Sequence, residues 1–368
     1  MILPATGAML PPRCATSAPP RPTSVPHMLA VRYHGPKRPL QLDTVPERAP
    51  AAGEVLVRVT AAGMCHTELH FLSGLLDLGV APMTLGHEIV GVVERVGDGV
   101  PAARLGERVI LHYYVGCGAC RHCRVGDEQI CPALRAEYGF LSDGGYAEFV
   151  TVPARNAVPL PDSITDVSAA PIGCGVTTGV HAARLAELRA GEWVVVYGAG
   201  GVGFGLAQLA RARGARVIAV GRSPGKLRLA SELGAEATVD AGAGPAGERI
   251  REITDGAGAD VIFECVGSAE SMAQASAALG RRGRLVFIGY STDSFTVHPI
   301  QLVVFEQRVM GVVGATLQDL YDAVDLVARG VVRTIVDRTL PLARFQEGMD
   351  AMARGELVGK AVLLPAGK

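Results

Sequence analysis

Four cysteines, Cys117, Cys120, Cys123 and Cys131, are spaced so that four thiolates fall on one short loop, within reach of a single tetrahedral divalent ion. A site with four thiolates has no open coordination position, so these residues are expected to fold a lobe and to take no part in catalysis. A second set of zinc-ligand types brackets that loop: Cys65 and His87 upstream, with Glu88 beside the histidine, and Cys174 downstream. One closed site and one open site point to a zinc enzyme.

A different chemistry is written further along. Gly198-Ala-Gly200-Gly201-Val202-Gly203 follows an apolar run at Trp193 to Tyr197 and opens a helical run from Val202 to Arg213. A dinucleotide pyrophosphate requires this placement at a helix N-terminus. The strand that follows, Arg216 to Val220, should end in an Asp or Glu that accepts from the adenosine ribose. Gly221-Arg222-Ser223 stands there instead. With no carboxylate to repel a 2'-phosphate, and with Arg222 able to pair with it, the pocket is expected to favour NADP(H) over NAD(H). Lys226, opening the next helical run, is grouped with Gly221, Arg222 and Ser223 in cofactor binding.

These groups need two kinds of scaffold. From Met28 to about Val180 the chain is Gly-rich, with short β-branched runs at Glu54 to Thr60, Ile89 to Val96 and Arg108 to His112, which reads as an antiparallel β domain. After Gly191, apolar strands alternate with Ala/Leu/Arg helices, further strands falling at Val261 to Glu264 and Arg284 to Ile288; this is βαβ alternation on a parallel sheet. The 368 residues, 49% hydrophobic, suit two domains. A net charge of -1 without a long basic run gives no footprint for nucleic acid or an anionic membrane surface, and no apolar run approaches a membrane span. The eight cysteines, in a chain with no secretory signal, are expected to stay reduced in a cytoplasm. Residues 1–27 carry Pro4, Pro11, Pro12, Pro19, Pro20, Pro22 and Pro26 with no apolar period, and read as a disordered tail; translation starting at Met28 is an equal reading.

The segment Gly63-Met-Cys65-His66-Thr67-Glu68-Leu69-His70, then Gly86-His87-Glu88, the four-cysteine loop, Gly173-Cys174-Gly175-Val-Thr-Thr178-Gly179 and the glycine fingerprint occur in that order. In this the chain resembles the zinc-dependent medium-chain alcohol dehydrogenases from about Met28 to its C-terminus. The resemblance implies an α/β fold: a GroES-like, mostly antiparallel catalytic domain (28–175 and 314–368, with a zinc lobe at 113–132) and a Rossmann doubly wound cofactor domain (176–313). It implies that Cys65, His87 and Cys174 hold a catalytic zinc, with Glu88 beside it as an outer or exchangeable ligand. Two thiolates and an imidazole leave a fourth zinc position for an alcohol or carbonyl oxygen, which the metal polarises as a Lewis acid. Two zinc ions per chain are expected, with a small alcohol, aldehyde or ketone as substrate.

By the same resemblance Thr67 and His70 form a proton relay, His66 lies near the cofactor pyrophosphate and Thr178 packs on the nicotinamide. Lys360 takes the place of a pyrophosphate-contacting Arg, and Leu76 and Tyr113 line the substrate pocket. A homodimer or homotetramer is implied. A polyol dehydrogenase of this fold would usually carry Glu at the third cysteine, a zinc-free quinone reductase would lack Cys65, His87 and the lobe, and an enoyl reductase would lose Thr67 and His70. A non-catalytic NADP(H) sensor would need no relay. His112, His122 and His181 have no partner that the sequence names, and Cys14 and Cys265 remain unassigned, Cys265 as packing.

Overall fold

The computed structural model describes residues 25–365. Cys14 and all but the end of the Pro-rich stretch lie outside them. The tail reading needs one correction at its boundary: His27 already opens the strand His27–Tyr33, paired antiparallel with Gln41–Pro46.

A seven-stranded sheet is built around Glu54–Gly63, whose apolar side chains are buried on both faces. Glu88–Val96 and Phe149–Pro153 pair with it antiparallel. The C-terminal strand Lys360–Leu364 returns to it, setting Val362 opposite Gly63 and Leu363 opposite Ala62, and pairs in parallel with Val336–Pro341. That return brings Lys360 next to the Gly63 end of the central strand.

The second sheet has six strands, all parallel, in the order Ala237–Asp240, Arg216–Gly221, Trp193–Tyr197, Ala259–Glu264, Leu279–Phe287, Arg308–Gly311. Its inner strands are almost continuously apolar because helices cover both faces. This is the doubly wound Rossmann order. The direction of winding reverses between Trp193–Tyr197 and Ala259–Glu264, so the crevice above the carboxyl end of Trp193–Tyr197 is where a ligand belongs.

The β reading up to about Val180 is also corrected, since the helix Gly175–Leu185 starts immediately after Cys174. Its glycines serve helix contact rather than turns. A Cβ on Gly175 would meet the Gly201 carbonyl at 3.3 Å, and one on Gly179 would meet Leu206 Cγ at 3.4 Å, so this helix lies tightly on the helix Gly201–Ala212. Among the described residues no helix is long and apolar enough to cross a membrane.

Candidate active site

The register of the central β sheet assembles the first centre. Gly63 pairs with Glu88 across the strands, so Cys65, just past one strand end, and His87, just before the next strand begins, share one edge. Gly63 leaves room for the Glu88 carboxylate, since a Cβ there would stand 2.0 Å from Oε2. Gly86, at φ 91°, turns the chain beneath the Tyr146 ring, and a side chain at that position would collide with it. Cys174 arrives from the other direction, at the end of the turn Ala170–Gly173 and the start of the buried helix. One ligand atom from each of Cys65, His87, Glu88 and Cys174 falls within 4.8 Å of the others.

These residues fit a zinc ion. His87 is buried and its Nδ1 has no hydrogen-bond partner in good geometry, although Glu68 Oε1 stands 3.4 Å away. A carboxylate facing Nδ1 fixes the ring and leaves Nε2 for a metal. Glu68 is also held by the Cys65 N–H, which it accepts at 2.8 Å. Hydrogen bonding from Cys174 holds the Cys65 thiol well below its usual range against burial, with Lys360 and His87 adding to the effect; Cys174 is pushed up in return. His87 is pushed up to about 10: burial opposes this, but Cys65 and Glu68 prevail. A divalent cation entering this set would replace protons that the pocket otherwise retains.

Thr67 opens the helix Thr67–Ser73, its Oγ1 3.7 Å from Cys65 Sγ, and half-buried His70 follows one turn later. Burial lowers the His70 pKa, with the neighbouring His66 adding and Cys65 opposing. His66 is exposed at the helix start. Tyr113 and Phe140 flank His87 with ring centroids at 5.3 and 4.9 Å, and Leu76 packs nearby on the β core.

Lys360 differs from its expected role. It is buried, and its Nζ donates to Glu88 Oε1 rather than standing free for a pyrophosphate. The returning strand fixes it there, between Glu88 and the fingerprint: a Cβ on Gly201 would meet Lys360 Cε at 2.7 Å. The fingerprint itself forms a cradle. Gly203 has no room for a side chain, which would stand 2.1 Å from the Gly198 carbonyl, whereas a Cβ on Gly200 would meet nothing within 4 Å. That open, amide-lined space at the start of the helix Gly201–Ala212 suits a pyrophosphate. Val202 lies in the first turn of that helix. Thr178 is buried one turn into its own helix, its Oγ1 3.9 Å from Cys174 Sγ.

Gly221 ends its strand, Arg222 is exposed, and Ser223 caps the next helix without a side-chain bond. Lys226 is half-buried, and desolvation lowers its pKa against the pull of Asp337. Asp240, the register partner of Gly221, turns its carboxylate back onto the Gly242 N–H at 2.8 Å. In the cysteine lobe the sulfurs of Cys117 and Cys123 are 3.9 Å apart, Cys120 and Cys123 3.5 Å, and Cys120 and Cys131 3.8 Å. Tetrahedral Zn–S bonds of ~2.3 Å require edges of about 3.8 Å.

Two family models match the chain: an alcohol dehydrogenase GroES-like domain over residues 51–162 and a zinc-binding dehydrogenase over residues 201–329. An alcohol dehydrogenase of Geobacillus stearothermophilus is 36% identical over 331 residues, 89% of this chain and 96% of its own. The chain belongs to the zinc-dependent medium-chain dehydrogenase/reductase family. A NAD-dependent alcohol dehydrogenase of Sulfurisphaera tokodaii is 32% identical across 92% of this medium-chain dehydrogenase and 100% of its own length. A solved zinc-binding dehydrogenase of Sinorhizobium meliloti, bound to NADP, superposes with a TM-score of 0.83 at 32% identity, covering 92% of this chain and 100% of its own. This enzyme is therefore an oxidoreductase of the alcohol dehydrogenase type, and its relatives divide between the two nicotinamide cofactors.

Sequence reasoning passed over three residues of this site. Glu68 is the only acid in the first turn of its helix, and that position is the signal that could have marked it. Phe140 and Tyr290 carry no local signal, because the fold brings them from distant loops. Tyr290 lies with its ring 4.9 Å from that of His70, and burial pushes its hydroxyl pKa up, with Thr67 opposing.

Proposed function

We propose that this medium-chain dehydrogenase is a zinc-dependent, NADP(H)-preferring alcohol dehydrogenase or aldehyde and ketone reductase. One observation carries the reading: Cys65, His87, Glu88 and Cys174 converge within 4.8 Å, joined to the glycine cradle through Lys360. Zinc held by Cys65, His87 and Cys174 would supply Lewis acidity to the substrate oxygen, and the bound nicotinamide would supply or accept the hydride.

The chain's own residues do the rest. Glu68 orients His87, and Lys360 holds Glu88 against Gly63, at the border of the ligand set. Thr67 exchanges the proton of the substrate oxygen at its Oγ1, and His70, three residues on along the same helix face, trades it with solvent. Tyr113, Phe140 and Leu76 keep that proton path dry on the substrate side. Arg222, Ser223 and Lys226 receive the 2'-phosphate, a role supported by the missing carboxylate at Gly221 and by Asp240 being turned away. His66 and Thr178 border the cofactor. The second zinc belongs to the Cys117, Cys120, Cys123 and Cys131 lobe. Residues 28–175 and 314–368 serve as the catalytic domain and 176–313 as the cofactor domain.

The edge strand Arg308–Gly311 and the preceding helix leave Ile300, Val303 and Val304 exposed, a surface suited to a second copy of the chain. The seven unpaired cysteines among the described residues suit a reducing cytoplasm. The polyol reading is disfavoured by Cys174, the enoyl reductase reading by Thr67 and His70, and a sensor would need neither of the last two. The test is His87→Ala and Cys174→Ala: each should abolish turnover while one of two zinc ions is lost. Full activity in either variant removes that residue from the ligand set.

A further inference from the structure

His181 takes no part in the chemistry above, yet it is 3% exposed and bonded on both sides. It lies on the helix Gly175–Leu185, one turn beyond Thr178. Its Nδ1 is 2.8 Å from Asp319 Oδ2 and 2.9 Å from an Arg184 guanidinium nitrogen. Asp319 closes the capping box of the helix Leu317–Ala328, accepting from the Thr316 N–H and hydroxyl, and also accepts from the Arg184 guanidinium. On the other side Nε2 is 3.4 Å from the side-chain nitrogen of Gln129, two residues before Cys131 in the cysteine lobe. The Gln129 amide nitrogen can only donate, so Nε2 accepts from it and in the neutral ring Nδ1 carries the proton toward Asp319, while the Arg184 guanidinium beside Nδ1 donates to the same carboxylate. Gln129 is buried and its Oε1 has no partner, so the contact with His181 is the one polar tie of that side chain among the described residues.

The helix that carries His181 needs such ties. Its first six residues, Gly175, Val176, Thr177, Thr178, Gly179 and Val180, are all glycine or β-branched, which are poor helix formers. Cys174 precedes them at φ -128° and ψ -58°, without a side-chain cap. The direction of its sulfur therefore depends on how firmly the helix behind it is held by its neighbours.

We propose that His181 is a positioning residue that couples the cysteine lobe to the catalytic centre. The folded lobe fixes Gln129, Gln129 and Asp319 together fix His181, and the helix so anchored sets Cys174 for its metal. The inference rests on the zinc reading of Cys65, His87 and Cys174 given above. Its test is zinc release from the loaded enzyme to a colorimetric chelator, in the parent, Gln129→Met, His181→Asn and the double variant. The open site should empty in a fast phase and the closed lobe in a slow one. Each single variant should speed the fast phase about two- to tenfold, as the loss of one net hydrogen bond allows, with the slow phase changed less. The double variant should exceed the larger single effect only slightly, since both break one chain of contacts. With cobalt in the open site, the sulfur-to-metal absorption band should shift in both singles, reporting a moved Cys174. An unchanged fast phase and band would overturn the proposal, as would both phases accelerating equally with a falling melting midpoint, the mark of a role in stability alone. A parent that releases one zinc in a single phase would overturn the underlying zinc reading as well, whereas two normal phases indifferent to the variants would overturn only the coupling.

Discussion

Replacing Lys360 with methionine removes the cation facing Glu88 and keeps most of the side-chain volume. Both side chains are shut from solvent, 9% and 0% exposed, with Nζ 2.5 Å from Oε1. Deleting one member of such a buried pair costs about 3–5 kcal/mol, because the survivor is left as an uncompensated charge. Glu88 can escape by taking a proton. Burial already pushes its carboxyl up to about 7, with Lys360 opposing and Cys65 reinforcing the rise, so without Lys360 it must go higher. A carboxyl whose folded pKa lies above its unfolded value of about 4.3 destabilises the fold as pH rises between the two, since the folded state then retains a proton that the unfolded state has released. In the parent that decline should level off near pH 7; in Lys360→Met it should continue above it. Thermal unfolding of the parent, Lys360→Met, Glu88→Gln and the double variant, at pH 6 to 9, reads this directly. At about 2–4 °C per kcal/mol the single change should lower the midpoint by on the order of 10 °C at pH 8, and Glu88→Gln should recover much of that loss in the double variant. A Lys360→Met midpoint equal to the parent's at pH 8, or strictly additive losses in the double variant, would refute the reasoning.

Other consequences follow from the same geometry. Glu68→Gln removes the carboxylate behind His87 and should weaken retention of the open-site zinc about 10- to 100-fold in chelator competition, while the lobe zinc is unaffected. Gly221→Asp fits, because its Cβ would meet Ala199 at 3.4 Å and Leu227 at 3.5 Å. A like charge ~4 Å from the 2'-phosphate is worth a few kcal/mol at an effective dielectric of ~20, so the NADPH to NADH ratio in kcat/KM should fall about 10- to 100-fold. An unchanged ratio would show that the 2'-phosphate is read elsewhere. Asp319 is held below the usual carboxylate range: burial opposes this, but His181, Arg184 and Thr316 outweigh it. A depressed folded pKa gives stability that is present above the unfolded value of about 3.9 and lost as pH falls below it. Asp319→Asn should therefore be less stable than the parent at pH 7, and urea titrations should show the gap narrowing as pH falls from 4 toward 2.

Local patterns were legible in the sequence and long-range encounters were not. The glycine fingerprint and the cysteine spacing are short-range features whose chemistry depends on few other residues, so Gly198 to Gly203 and Cys117 to Cys131 could be read directly. The helix Gly175–Leu185 was masked because glycine and β-branched residues read as β structure; only the close approach of Gly201 and Leu206 explains them. Lys360 was expected at a phosphate, but the pairing of its strand with Glu54–Gly63 delivers it to Glu88, a partner 272 positions away in the chain. His181 and His112 had no visible partner for the same reason, since Asp319 and the Ala315 carbonyl reach them from the far end of the chain. Tyr290 comes to His70 from the loop that follows the strand Leu279–Phe287, and no window of sequence holds both.

The central claim is hydride transfer at an open zinc site fed by NADP(H). Its most direct measurement is the consumption of NADPH and of NADH, side by side, against a panel of aliphatic and aromatic aldehydes and ketones, before and after a chelator has removed the more labile of two zinc ions. The account predicts turnover with NADPH favoured, lost with that zinc and restored when it is returned. Equal or greater turnover after the labile zinc has gone would contradict it.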